Sequence, residues 1–500
     1  MTTDLDLPGP GPTGPAGPLS RPARLRWIAV AALITGALMD MIDVTIVNVA
    51  LPTVRRDLHA SGTQLEWVIS GYLLAFAATL IVAGSFGDLF GRKRIFLLGV
   101  AFFGLASLGA GLSASPAELI ACRVVQGTAA ATMAPQVLAT FRVMFAAKER
   151  AQAFSIYGAM LGFASAVGLA AGGLLTDANL FGWSWRSVFF VNVPLAVVTL
   201  AAGARLIPES RDRSARRPDL LGATVLAAAL VAVVYPLLEG RQLGWPAWSW
   251  ALLAAGLLAL AVLAVTQERR PRPQVEPLLR TRLLRVPAFA AGLGVQLAFS
   301  AGLQAFFLAF ALWLQAGEHF SPLRAGLTAI AFSAGSFVLA PFAVPLAQRY
   351  GRGVLVLGGV IMAAGTAVLV IGAHQVGVGG SPWPIVPGLA VMGMGLSLLV
   401  IPLVNVVLAA VPAEMAGGAS GMFSTAQQLG GAIGVAIGGT VFFGWAGSHT
   451  FAAAFTRTAP YAMAAFVICA ILAVILPRTA VADEFDAEDA QAAADSMLVS

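Results

Sequence analysis

The chain has 500 residues, 58% hydrophobic and 11% charged, with a mean hydropathy of +0.84 and a formal net charge of +6. A soluble globular protein carries about 25% charged residues, so the composition excludes that class and defines an integral membrane protein. Cys122 and Cys469 both fall in apolar runs, which leaves no disulfide framework and no metal site.

Residues 1–26 open with a Gly- and Pro-rich segment at 8–18, read as a disordered tail. A basic start followed by a short apolar core is missing from 1–20, so no cleavable signal is expected. Spans of about 20 apolar residues fit the hydrocarbon core, and the sequence predicts fourteen. Six lie at 27–51, 65–86, 95–113, 117–141, 151–175 and 186–206. Two more, at 219–237 and 248–266, contain no charge beyond the opening Asp219 and almost no polar side chain. Six follow at 288–312, 324–347, 354–373, 384–411, 418–443 and 459–477. Barrel strands would give shorter, alternating segments, so the fold class is all-α and polytopic. An acidic tail, 478–500, closes the chain.

The longest links, 207–218 and 267–287, are rich in Arg and Pro and flank the nearly uncharged pair. The predicted organisation is a six-helix bundle at 27–206, linkers with two inserted spans at 207–287, and a second six-helix bundle at 288–477. With the amino terminus placed in the cytoplasm, 23 of the 30 Lys and Arg residues fall on that face. Six, namely Arg55, Arg56, Arg186, Arg241, Arg324 and Arg457, fall on the other, and Arg123 lies inside a span. Positive charge is retained inside, so both termini are expected in the cytoplasm. The net charge then reflects topology, and a nucleic-acid partner is not expected.

Between the second and third spans lies Gly84-Ser-Phe-Gly87-Asp88-Leu-Phe-Gly91-Arg92-Lys93-Arg94. A fainter copy, Leu346-Ala-Gln348-Arg349-Tyr-Gly351-Arg352, recurs 260 positions later with Gln348 in place of Asp88. Gly87 and Gly91 are expected to form a tight turn, and Asp88 to accept from a helix start or pair with Arg92 or Arg142. Parallel halves related by an axis along the membrane normal are one transporter plan, with substrate bound near mid-membrane. The plainer account of Arg92–Arg94 is topology alone; it leaves Asp88 unexplained.

Four further segments accompany the hairpin: Asp43-Val-Thr45-Ile-Val-Asn48-Val-Ala-Leu-Pro52, Trp67-Val-Ile-Ser-Gly-Tyr72, Arg123-Val-Val-Gln126-Gly127 and Trp185-Arg186-Ser-Val-Phe-Phe-Val-Asn192-Val-Pro194. A fifth is Gly418-Ala-Ser-Gly421-Met-Phe-Ser-Thr-Ala-Gln-Gln428-Leu-Gly-Gly431. Together, in order from about residue 40 to 436, they resemble the major facilitator superfamily, and more narrowly its fourteen-span drug:proton antiporters of the QacA/EmrB type. The resemblance implies that the Gly87, Asp88, Gly91, Arg92 and Arg142 cluster latches the halves when the cytoplasmic side is closed. It also implies a cavity lined by spans one, four, nine and twelve, with Asn48, Gln126, Gln296, Gln304, Trp313 and Asn405 as candidate contacts. One departure stands out: the family's fifth-span signature has Pro where this chain has Leu169 in Gly168-Leu169-Ala-Ala-Gly172-Gly173. Gly158/Gly162 and Gly168/Gly172, four apart, still permit close helix packing.

Asp40 and Asp43 lie three apart on one helical face. An ionised carboxylate in a bilayer costs about 2.5–3.5 kcal/mol on insertion scales, so these are candidates for proton coupling; a structural pair is the alternative. Arg123 either competes with protons for a carboxylate or is a structural partner, and Gln126, one turn on, lines a cavity or bonds between helices. Glu66, Glu239 and Glu318 are placed near the outer face, attracting cations or merely solvated. Trp245, Trp248 and Trp250 read as interfacial anchors.

No Gly-x-x-x-x-Gly-Lys-Ser/Thr loop is present, so transport is expected to run on a gradient, with protons as coupling ion and no cofactor. The expected activity is export of hydrophobic, amphiphilic or cationic small molecules across a bacterial inner membrane by a chain that works as a monomer. Rival readings are an uptake symporter and a non-transporting scaffold; an enzyme is disfavoured because His59, His319, His374 and His449 do not cluster.

Overall fold

The protein is described from a computed structural model, which covers residues 23–145, 147–211, 217–269, 275–276, 281–409, 411 and 415–476. Of the expected tails at 1–26 and 478–500, residues 1–22 and 478–500 lie outside the described residues, while 23–26 are the first turn of α1 and not tail. The first half holds α1 (Ala23–Asp57), α2 (Gly62–Phe90), α3 (Arg92–Leu112), α4 (Pro116–Met144) and α5 (Ala147–Asp177). It ends with a single turn, α6 (Ser187–Phe190), that runs on into α7 (Asn192–Leu206). The inserted pair is α8 (Leu220–Leu243) and α9 (Ala247–Arg269). The second half holds α10 (Pro287–Leu312), α11 (Pro322–Tyr350), α12 (Gly353–Ala373), α13 (Val386–Ala409), α14 (Ala416–Ala446) and α15 (Phe451–Ala473).

Sequence-local signals set the helix starts. Ser61, Ser115, Ser321 and Thr450 each accept a backbone N–H from their own first turn, Ser61 within a capping box completed by Gln64. Pro116, Pro287 and Pro322 occupy first-turn positions where a missing N–H costs nothing.

Among the described residues, twelve helical segments are long and apolar enough to cross a membrane, not the expected fourteen. The two that fall short are α4 and α5. α4 carries Glu118, Arg123, Gln126, Gln136 and Arg142; of α5 only Val167–Asp177 is described without interruption, so its full apolar length lies partly outside the described residues. Both lie among other helices, α4 against α2 and α3, α5 against α1 and α11. A helix surrounded by protein can carry polar groups that a lipid-facing one cannot.

Hydrogen bonds fix which ends meet. Arg26, at the start of α1, reaches Glu149 at the start of α5 at 2.9 Å. Lys93, at the start of α3, donates to Ala204 O near the end of α7 at 2.6 Å. Arg352, before α12, donates to Leu476 O beyond α15 at 2.8 Å. These mark the terminal face of the bundle. On the distal face, Arg186 donates to Ser113 O at 3.2 Å and Arg324 to Gly380 O at 2.5 Å.

The inserted pair straddles both halves. α8 packs on α2 and on α14, with Trp67 Nε1 donating to Glu239 at 3.0 Å and Thr440 Oγ1 to Leu237 O at 3.3 Å. Its outer neighbour α9 exposes Leu257, Leu258, Val262 and Val265, the surface of a helix solvated by lipid. At the terminal face a two-residue parallel pairing, β1 (Arg217–Pro218) with β2 (Val275–Glu276), ties together the linkers that flank the pair.

Candidate functional site

Two sites lie side by side in the first half and at the seam between halves. The first is a buried ionic network. Arg123 on α4 forms an ion pair with Asp43 on α1, both essentially without solvent exposure. The same carboxylate accepts from Gln126 Nε2 at 3.2 Å and from Asn192 Nδ2 at 3.0 Å. Arg123 also donates Nε to Val68 O at 3.0 Å and Nη1 to Gln126 Oε1 at 2.9 Å, and its guanidinium sits 4.2 Å from the centre of the Tyr72 ring. Gln126 also donates to Ser107 Oγ at 2.8 Å. Tyr72 Oη donates to Asp40, which forms no ion pair among the described residues. Three helices, α1, α4 and α7, thus meet at the Asp43 carboxylate, and α2 and α3 join the surrounding network.

This geometry answers which acid Arg123 meets: Asp43. It also places Gln126 in the network and away from the cavity. Asn192 and Tyr72 are part of it too. Neither is titratable near neutral pH, so a search for ionisable groups passes over them; their positions within the quoted segments were the available signal.

The second site is a cavity of about 160 Å³ at mid-bundle, lined by Asn48, Ser300, Gln304, Gln427 and Gln428 together with Phe299, Phe307 and Phe332. Val44, Thr45 and Leu169 close its first-half wall. The lining contains amides, a few hydroxyls, aliphatics and aromatic rings, and no acid or base among the described residues. A smaller recess continues from Asn48 to Gln315.

Of the expected cavity residues, Asn48 and Gln304 line it. Gln296 lies one turn from its wall, buried, donating to Ser300 Oγ at 3.2 Å. Asn405 is exposed on the terminal half of α13, outside the lining. Trp313 does not reach it: the indole is fully buried, donates to Glu318 at 2.8 Å and stacks on Phe455 at 4.4 Å. A π-helical turn at Trp313–Gly317 rotates it into the interior of the second half.

The hairpin is smaller than its sequence implied. α2 runs helically through Gly87 and Asp88 to Phe90, and the chain turns only at Gly91, whose φ of 107° a side chain would strain. Gly87 serves packing instead, since a Cβ there would collide with the side chain of Gln136, which donates to Ala83 O at 2.8 Å. Asp88 accepts from Arg92 Nε at 3.0 Å and Nη2 at 2.7 Å across the turn; Arg142, exposed at the end of α4, does not pair with it. The docking partner that sequence reading missed is Glu209, which accepts from Lys93 N at 3.2 Å and pairs with Arg94 at 3.5 Å. In the second-half copy Gly351 has φ 56° and donates to Ala347 O at 2.7 Å, repeating the bond from Gly91 N to Gly87 O at 3.0 Å.

The fifth-span glycines divide their work. A Cβ on Gly168 would strike Thr45, and one on Gly172 would lie 2.9 Å from Ile46 O, so these two seat α5 on α1. Gly173 faces the other half, where a Cβ would lie 2.6 Å from Pro322 O of α11. The surroundings of Gly158 and Gly162 lie outside the described residues.

The chain matches the Major Facilitator Superfamily over residues 33–220, 214–434 and 295–496, and it belongs to that family. It is therefore a multi-pass membrane transporter and not an enzyme. It is 39% identical over 443 residues to the "Probable actinorhodin transporter" of Streptomyces coelicolor, covering 88% of this chain and 76% of that protein. It is 34% identical over 422 residues to the "Tetracenomycin C resistance and export protein" of Streptomyces glaucescens, covering 83% and 76%. Among solved structures it resembles a peptide transporter in complex with sulfate, with a TM-score of 0.64 and 15% identity over 90% of this chain and 95% of that one. A D-xylose–proton symporter gives a TM-score of 0.63 and 14% identity over 91% and 98%.

Proposed function

We propose that this chain is a proton-coupled antiporter that exports amphiphilic small molecules from the cytoplasm across a bacterial inner membrane. The observation that carries it is the separation of an uncharged, amide- and aromatic-lined cavity from a buried Asp43–Arg123 network one helix away. The cavity suits a hydrophobic ligand held by a few hydrogen bonds. The network supplies a carboxylate whose charge a proton can cancel. Antibiotic export and resistance proteins among the relatives support the direction of transport. Protons are the coupling ion in this reading, and no cofactor is required.

In this reading fourteen helices cross the bilayer, α4 keeping its polar groups inward and turning Val124 and Val125 to lipid, and both termini are cytoplasmic, as the distribution of Lys and Arg favours. The halves touch at the distal ends of α1, α2, α5, α10, α11 and α14, where Gln315 donates to Val49 O at 2.8 Å. The polar contacts named on the terminal face stay within each half. This is an inward-facing arrangement. The Asp88–Arg92 hairpin, with no partner in the opposite half among the described residues, is the part that engages when the cytoplasmic side closes.

The test is proton movement from proteoliposomes holding a pH gradient. Neutral aromatic antibiotics and ethidium-like dyes are added in turn, and substrate-induced proton efflux is the expected result. Substrate moving with protons in the same direction would convert the reading to symport, the rival that Leu169 in place of the signature proline keeps in play. No proton response to any of a broad panel would end both.

A further inference from the structure

On α2, one turn from the distal end, Glu66 faces the opposite half of the molecule. It is fully buried, and neither carboxylate oxygen has a hydrogen-bond partner. It meets the backbone of α14 at Gly439, where an added Cβ would collide with the carboxyl group. Thr63 and Ser70, three before and four after on the same side of α2, are also buried with unpartnered hydroxyls. A turn earlier, Gly62 rests on the Phe443 ring of α14, which closes the seam.

A seam that is always dry gains nothing from three unpartnered polar side chains, because each loses its water on burial. A face that is wet in the alternate state uses all three. We infer that Glu66 is a second proton-binding site, placed at the seam, which takes a proton as the distal side closes and gives it back to the distal solvent when that side opens. The inference rests on the alternating-access reading above.

The charged groups around it fit this role. α8 contributes Glu239, already engaged with Trp67, and Arg241, the cation facing Glu66 but beyond ion-pair distance. The Arg241 guanidinium lies 5.8 Å from the centre of the Phe443 ring, and that of Arg55 on α1 lies 5.4 Å from it. α14 contains no charged residue. On α4, Arg123 is committed to Asp43 and Val68 O. α3 and β1 meet α2 near its terminal end, where Arg92 is bonded to Asp88; His59 lies in the turn before α2. With no cation in hydrogen-bonding reach, the neutral acid is the form the closed seam accommodates. Glu66 does not line the cavity, so its proton has no route to the terminal side while the seam is shut. It gates the distal side and does not carry protons across.

The sign follows from linkage. The closed state holds one proton more than the open state, so raising the pH favours opening, by up to about tenfold in the population ratio per pH unit for one linked proton. Spin labels on Arg56→Cys and Ser448→Cys, in a Cys122→Ala, Cys469→Ala background in lipid nanodiscs, report the distal separation from acidic to alkaline pH. In the otherwise native chain the long-distance population grows as pH rises. Glu66→Gln, which mimics the neutral acid, holds the short distance across the range. Glu66→Ala, which lacks the titrating group altogether, also removes the pH response. An unchanged pH response in both variants overturns the inference. A single distance in the native chain at every pH, with and without substrate, overturns the rocking reading itself.

Discussion

Asp43 holds the ionic network together, and its replacement separates charge from shape. Asn at this position keeps the shape and one acceptor oxygen, which can still take the Arg123 donor while its NH2 faces the re-oriented amides of Gln126 and Asn192, but it cannot exchange a proton. Asp43→Asn is therefore expected to abolish proton-driven transport in proteoliposomes while leaving a folded protein; transport at the full rate would show that another group couples. Asp43→Ala also strands the Arg123 guanidinium, and removing one member of a buried pair costs about 3–5 kcal/mol. Its thermal unfolding in detergent should fall well below that of the Asn variant. Asp88 is a different case, half-exposed and paired only with Arg92. Asp88→Asn should change folding little and shift the cytoplasmic accessibility of single cysteines toward the inward-facing pattern. Unchanged accessibility removes it from the latch.

Among the elements, α5 and α11 show how small residues set a moving contact. Gly173 abuts Pro322 O, and Gly326 abuts Leu169 O, so the two helices approach with backbone against backbone. Gly173→Ala and Gly326→Ala should wedge the halves apart distally, lowering thermal stability and raising distal cysteine accessibility. Gly421→Ala is the contrast: it belongs to a glycine-rich segment of the same sequence signature, yet a Cβ there meets nothing within 4 Å. It should be close to silent in both assays. Equal effects at all three sites would mean that backbone propensity, and not contact across the seam, governs these glycines. Spacing alone could not tell them apart, because Gly168, Gly172 and Gly173 face two different partners.

For the whole molecule, substrate preference follows from where charge is absent. The described cavity lining has no acid or base, and residues 151–166 of α5, which run toward the terminal face, include none in sequence. Neutral, hydrogen-bonding aromatic compounds should therefore compete for transport better than lipophilic cations of similar size, against the sequence expectation that cations are included. Gln304→Ala should raise KM for the former with a smaller effect on kcat, since a ground-state contact is lost. Preference for cations in a competition series would place a carboxylate in the translocation path after all.

How much of this could be read beforehand differs by kind of feature. Composition and the run of apolar segments determined a helical, multi-pass membrane protein, because lipid leaves the backbone no alternative to internal hydrogen bonding. The 260-residue echo of the hairpin picked out two like turns, and both copies do end a helix at a glycine of positive φ. Asp43 and Arg123 stood out because charge inside an apolar run is costly enough to require a purpose. Only the tertiary structure decided that these two are partners, that Gln126 belongs with them and Trp313 with the second-half core, and that Glu66 lies unpartnered at the seam. It also set the polar α4 inside the bundle, against α2 and α3. Each of those facts depends on what a neighbouring helix presents, and sequence spacing defines a residue's face on its own helix without saying which helix will cover it.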